Sequence, residues 1–170
     1  MNDRRTGDSD DVDRRRWVVE GLVAGAVALP ASMVPSAVQA RATGGRWWAS
    51  EMAAGNLVLH ASASPQRLVR IGTAVRSAVA LNWGLVLSRW LDRRHPVLHG
   101  AGAGLVLFAF QYLLVGRRRP LVRDLPAWPQ VADHLVYGTV AGAVLARLRG
   151  REGGACAAPG ARGELGRPLP

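Results

Sequence analysis

Three side chains that could do chemistry lie close together at the start of an apolar stretch near the C-terminus. Asp133 and Tyr137 are four positions apart and so share one face of a helix, with His134 beside them. Ionisable groups at the edge of a membrane segment are candidates for a proton relay or for contact with a polar ligand. The structural alternative, which we favour, is that Asp133 caps its helix and pairs with an arginine of the preceding loop, such as Arg119 or Arg123.

A second string of residues, Asp92, His95 and His99, contains side-chain types that can bind zinc. Pro96 separates the two histidines, so His95 precedes the helix and the two imidazoles need not share a face. No further ligand is near in the sequence. We therefore predict no metal site here.

Two polar residues lie within other apolar stretches. Asn82 is near the middle of its stretch, where it could form an interhelical hydrogen bond, worth about 0.6 kcal/mol on average, or line a polar path. Glu20 is near the start of the first apolar stretch. If the chain crosses a membrane four times, Glu20 and Asp133 begin on opposite sides, so we do not expect them to meet.

Known catalytic motifs are missing from the sequence. It contains no phosphate-binding loop, nucleophile elbow, H-E-x-x-H helix or dinucleotide fingerprint. We therefore predict a non-enzymatic protein with no catalytic residue and no cofactor.

The elements that must position these side chains are long apolar segments. Val97–Val115 contains no charged residue, and as a helix it would reach about 28 Å, close to the ~30 Å hydrocarbon thickness of a bilayer. The sequence predicts an all-α integral membrane four-helix bundle over residues 17–148, with spans at 18–40, 71–91, 97–115 and 131–148.

The remaining segments are too polar to span a membrane. We expect residues 47–63 to form a short helix at the interface or against the bundle, ended by Pro65. We predict disordered tails at 1–16 and 149–170, because the first mixes Asp with Arg and the second is rich in Gly, Ala, Pro and Arg.

Small residues recur at four-residue spacing in every predicted span. Apolar side chains gain nothing by leaving lipid, so close approach of backbones is what holds membrane helices together. We predict helix packing at Gly21, Gly25, Gly84, Gly100, Gly104, Gly138 and Gly142.

The net charge of +10 could suit nucleic acid or anionic lipid. The basic residues are all arginine, and they cluster beside the spans, with no basic face that carries interleaved aromatic residues. This pattern favours lipid headgroups over nucleic acid. We predict headgroup binding by Arg117, Arg118, Arg119 and Arg123, and we expect Arg76 and Arg89 to extend from their span toward the headgroups.

Two segments near the fourth span carry a resemblance to known proteins. Gly116-Arg-Arg-Arg-Pro120 and Pro129-Gln-Val-Ala-Asp133-His134-Leu-Val-Tyr137-Gly138 resemble small uncharacterised bacterial inner-membrane proteins of the YagU-like kind, a domain of unknown function. The resemblance covers residues 18–148 as a four-span pattern. It implies a bacterial plasma-membrane protein.

Three functions remain open. The first is a non-enzymatic membrane protein that contacts headgroups, a second copy of itself or another membrane protein. The second is a small transporter or channel subunit whose path is lined by Asn82, His99, Gln111, Asp133 and His134. The third is an exported protein whose signal is cleaved after Ala40. Arginine counts near the span ends favour cytoplasmic termini by a narrow margin.

Overall fold

The structure is a computed structural model that describes residues 4–92 and 94–155. These residues form α-helices joined by short turns, and the described ranges contain no strand, which confirms the all-α prediction. A π-helical turn at Phe110–Val115 continues the fifth helix, and a 3-10 turn at Gly116–Arg118 follows it. The helices are α1 (Arg4–Ser32), α2 (Val34–Ala42), α3 (Ala49–Gly55), α4 (Pro65–Trp90), α5 (Pro96–Ala109), α6 (Pro120–Arg123) and α7 (Ala127–Ala155).

Three helical segments of the described chain are long and apolar enough to cross a membrane. They are Arg14–Ala42, Pro65–Trp90 and Pro96–Leu114, and they match the first three predicted spans to within one residue at the C-terminal ends of the second and third. The helix that holds the fourth predicted span, α7, is not among them. Its first turns carry Asp133 and His134 and its later turns carry Arg147 and Arg149, which lower its apolar character.

The long helices pack as two antiparallel pairs. One pair is α1 with α4, the other is α5 with α7, and contacts between α1 and α7 join them. Although α4 and α5 are joined by a short turn, they hardly touch along their length. The short turn therefore does not make α4 and α5 packing partners, because their small-residue faces pack against α1 and α7 instead.

The predicted small residues lie at these helix contacts. A Cβ atom built on Gly21 would lie 2.8 Å from the Gly84 carbonyl oxygen, and one on Gly25 would lie 2.7 Å from the Ala80 carbonyl oxygen. In the other pair, a Cβ on Gly100 or Gly104 would overlap a backbone carbonyl of α7. Only glycine allows the backbones to come this close.

The first membrane-length segment is broken at Met33. Helix α1 ends at Ser32 and α2 starts at Val34, with Pro35 in its first turn. In an unbroken helix the Ser36 N–H would donate to the Ser32 carbonyl. The break leaves both groups available to other partners, and both are used in the site described below.

The helices extend beyond the predicted boundaries at both ends. Residues 4–16, predicted to be disordered, continue α1, because adding turns to a helix already fixed by packing is much easier than starting one. Residues 149–155, also predicted to be disordered, continue α7, whose Arg149 is anchored on Glu20. The other predicted tail residues, 1–3 and 156–170, lie outside the described chain.

The segment predicted as an interfacial helix at 47–63 forms only the short α3 and a series of turns. It packs against α4, where a Cβ on Gly55 or Gly72 would overlap the backbone of the facing helix. Pro65 begins α4 and does not end the preceding helix, because proline suits the first turn of a helix.

Candidate functional site

A half-buried arginine on α4 is shared by two carboxylates. Arg76 Nη1 lies 3.4 Å from Glu51 Oε1, and Arg76 Nη2 lies 3.4 Å from Asp133 Oδ2. The Glu51 and Asp133 side chains are 4% and 3% exposed, whereas that of Arg76 is 18% exposed. The expectation that Arg76 extends to the headgroups is wrong, because these carboxylates offer it partners inside the bundle.

Asp133 also binds the first turn of α2. Its Oδ1 accepts a hydrogen bond of 3.0 Å from the Ser36 backbone N–H, and its Oδ2 accepts one of 2.5 Å from the Ser36 hydroxyl. The N-terminus of a helix carries unpaired N–H groups and a partial positive charge, so it stabilises a carboxylate. Asp133 therefore caps α2 from another helix, and its arginine partner is Arg76, not the predicted Arg119 or Arg123.

The Ser32 carbonyl, released by the same helix break, faces the network. It accepts a hydrogen bond of 3.5 Å from Arg76 Nη2, while Arg76 Nη1 donates to the Ser50 hydroxyl over 3.1 Å. Three elements, α1, α3 and α7, thus supply acceptors to one side chain of α4, and α2 is joined to them through Asp133.

His134 bridges α7 to the end of α5. Its Nδ1 lies 2.7 Å from the Gln130 carbonyl oxygen, and its Nε2 lies 3.1 Å from Gln111 Oε1. Gln111 belongs to the π-helical turn, an irregularity that often occurs at functional sites. One turn along α7, the Tyr137 hydroxyl donates to the Ala80 carbonyl over 2.5 Å.

These side chains line a cavity of about 110 Å³. Of the predicted polar path, Gln111, Asp133 and His134 converge on this cavity. Asn82 does not, because it is exposed on the outer side of α4. His99 lines a different cavity. The polar lining of the first cavity consists of Ser32, Ser50, Arg76, Gln111, Gln130, Asp133, His134 and Tyr137.

A second cavity, of about 550 Å³, lies between α4 and α5. Its lining is mostly apolar and includes Val86, Val106 and Phe110. Trp83 and Leu107 line both cavities. The two cavities therefore adjoin, and we call the pair the α4–α5 cleft, with its polar end at Arg76.

The residues considered for a metal site form a surface contact. Asp92 Oδ2 lies 3.6 Å from His99 Nδ1, and the rings of His95 and His99 meet edge to face at 6.2 Å. In the described ranges, no three His, Cys, Asp or Glu side chains gather in a way that could hold a metal ion.

A second ionic cluster lies at the opposite end of the bundle. Glu20 is bonded by Arg16 Nε and by Arg149 Nε, each at 3.1 Å. Arg149 Nη2 donates to the Ser88 carbonyl, and the buried Nη1 has no partner among the described residues. This cluster places the start of α1 and the end of α7 at the same end of the bundle, away from Asp133.

The arginines predicted to bind headgroups lie in the segment before α7. Arg118 and Arg123 are exposed, Arg119 is half-buried, and the side chain of Arg117 is outside the described part of the structure. Arg123 Nε lies 3.7 Å from Asp124 Oδ1 on the surface. In the same segment Trp128 is 62% exposed.

Sequence reasoning missed Arg76, Glu51 and Ser36 as site residues. Two features of the sequence could have identified them: an arginine inside an apolar span needs a carboxylate partner, and a serine just after Pro35 begins a new helix with free N–H groups.

Comparison of the chain with protein-family models, curated proteins and solved structures found no match.

Proposed function

We propose that the chain is a four-span integral membrane protein of the bacterial plasma membrane with a non-enzymatic role, in which α7 is the fourth span. The observation that carries this proposal is the pairing of Arg76, on the membrane-length helix α4, with Glu51 and Asp133 inside the bundle. Charged groups are retained inside a membrane bundle when they pair with one another, and they then mark functional sites. The YagU-like resemblance supports the same location.

The polar end of the α4–α5 cleft is the part of the bundle best suited to function. It combines polar side chains, such as those of Arg76, His134 and Tyr137, with apolar side chains from several helices, and a few convergent polar groups in an apolar pocket are typical of a small-ligand site. We propose that the bundle binds a small ligand there.

Integration into the membrane is tested by alkaline carbonate extraction of membranes from expressing cells. We expect the chain to stay in the membrane pellet and to be released only by detergent. A chain recovered in the carbonate supernatant would contradict the proposal.

The exposed loop face supports a role in contacting lipid headgroups or another membrane protein. Arg118 and Arg123 are exposed beside Trp128, and such a combination suits a headgroup layer. If this face contacts lipid headgroups, the purified protein retains more phosphatidylglycerol than phosphatidylcholine. Changing both arginines to glutamine then removes the difference.

A transport role is favoured by the convergence of Gln111, Asp133 and His134 on one cavity. In liposomes, a transporter or channel subunit of this kind would dissipate a proton gradient, and Asp133→Asn would abolish the flux.

Retention of the first span is favoured over cleavage after Ala40. Gly21 and Gly25 pack directly on α4, and Ser36 binds Asp133, so cleavage would remove both contacts. The bundle then has both termini on one side, which we propose is cytoplasmic. N-terminal sequencing of the membrane-extracted protein tests whether the first span is retained.

A further inference from the structure

Exposed apolar side chains border the α4–α5 cleft. Val106 and Phe110, which line its larger cavity, are 70% and 55% exposed, and the helices α4 and α5 hardly touch. If the bundle lies in a membrane, these exposed side chains face the hydrocarbon chains of the lipids. A lipid chain can then reach the cleft between α4 and α5.

The polar end of the cleft offers one free hydrogen-bond donor. Arg76 uses Nη1 and Nη2 for its four contacts, and its Nε–H donates to no group among the described residues. Arg76 lines the cavity. A ligand that enters the cleft can satisfy this donor with an oxygen atom.

The charges around Arg76 limit the kind of ligand. Two carboxylates, Glu51 and Asp133, surround one arginine, and the α2 N-terminus offsets roughly half a charge. An anionic head would therefore add a further negative charge to a cluster that already has an excess. A ligand with a cationic head group would be repelled by Arg76, which is the most exposed of the three charged groups. An uncharged head with an oxygen acceptor avoids both penalties.

The cleft is long enough to hold a lipid chain. Its lining along α4 runs from Val75 to Trp90, which corresponds to about 22 Å of helix. This exceeds the roughly 15 Å, half of the ~30 Å hydrocarbon thickness, that the chains of one leaflet occupy.

We propose that the α4–α5 cleft binds one acyl chain of an uncharged bilayer lipid, whose ester or hydroxyl oxygen accepts a hydrogen bond from Arg76 Nε. The acyl chain lies along Trp83 and Leu107 toward Val106 and Phe110. This proposal rests on the membrane location given above, and it names the ligand of the site.

The test uses the full chain in phosphatidylcholine nanodiscs and three photoreactive probes with the same alkyl chain. One probe is an uncharged monoacylglycerol, the second is an alkylsulfonate and the third is an alkyltrimethylammonium. Mass spectrometry then measures labelling of α4 and α5 residues that line the cleft. We expect the uncharged probe to label these residues about tenfold more than either charged probe, which corresponds to about 1.4 kcal/mol.

Two matched variants locate the bound chain. Ala103 lines the cleft, so Ala103→Phe should remove labelling of the cleft by the uncharged probe. Leu22 is exposed on α1, so Leu22→Phe should leave this labelling unchanged.

Three results would overturn the proposal. They are equal labelling by a charged probe, labelling of the outer face of α1 at the same level as the cleft, and photocrosslinks showing that a second copy of the chain fills the cleft. Carbonate extraction of membranes from the expressing cells separates the two proposals. If the protein stays in the membrane pellet but the three probes label it evenly, only the lipid-ligand proposal fails.

Discussion

Ser36 and Asp133 are joined by two hydrogen bonds across 97 positions of the sequence, from the Ser36 N–H at 3.0 Å and from its hydroxyl at 2.5 Å. The carboxylate replaces the backbone acceptor that the Ser36 N–H would have in an unbroken helix. This contact connects the break in the first membrane-length segment to the start of α7, and it brings Asp133 to Arg76.

Removal of the Asp133 charge should destabilise the bundle. In Asp133→Asn the amide can still accept from Ser36 and Arg76 keeps Glu51, but the α2 N-terminus loses its anion. We expect a loss of about 1–2 kcal/mol in the free energy of unfolding, measured in mixed micelles. The matched control is Asp124→Asn, because Asp124 is 66% exposed and its pair with Arg123 should contribute little. Equal effects of the two variants would argue against the network.

Two glycines on one helix should respond differently to alanine. A Cβ on Gly100 overlaps the Gly138 carbonyl, whereas a Cβ on Gly102 meets no atom within 4 Å. Gly100→Ala should lower the free energy of unfolding by about 1–3 kcal/mol through overpacking. Gly102→Ala should be neutral or slightly stabilising. If both variants are neutral, α5 and α7 do not pack as described.

The hydroxyl of Tyr137 should contribute to stability through one hydrogen bond. Tyr137→Phe leaves the Ala80 carbonyl without this donor, and we expect a loss of about 1 kcal/mol. Tyr112, which stacks on Phe108, offers a control, because Tyr112→Phe keeps the ring contact. A neutral result for Tyr137→Phe would mean that water or another group replaces the hydroxyl.

The ionic cluster at the other end should show coupling between Glu20 and Arg149. A double-mutant cycle with Glu20→Gln and Arg149→Gln should give an interaction energy of about 1–2 kcal/mol, because both side chains are largely buried. Arg147 is exposed, so the same cycle with Arg147→Gln should give a value near zero. Coupling to Arg147 that equals coupling to Arg149 would contradict the contact.

Much of the helical framework could be predicted from the sequence because it depends on local patterns. Long apolar segments in the sequence predicted the three membrane-length helices of the described chain. The four-residue spacing of small residues predicted positions at helix contacts, such as Gly21 and Gly100. The helix ends were less predictable. Residues 4–16 look disordered by composition, but they continue a helix that is held by packing further along.

The site was harder to predict because its contacts are distant in the sequence. Asp133 and Tyr137 share a face of α7, as their spacing suggested, and together with His134 they line one cavity. Their partners could not be read from local pattern, since Ser36, Arg76 and Ala80 come from other helices. Asn82 has an equally suggestive position in its span, yet it faces outward, because the glycine and alanine side of α4 is the one that packs.

The most direct test of the account is the sidedness of α7, the helix that carries Asp133. Reporters are fused after Leu125 and after Ala155, once with alkaline phosphatase and once with a fluorescent protein that matures only in the cytoplasm. We predict opposite sides, with the fusion after Ala155 fluorescent and the fusion after Leu125 active as a phosphatase. If both fusions report the same side, α7 does not cross the membrane, and the four-span bundle around Arg76 and Asp133 is wrong.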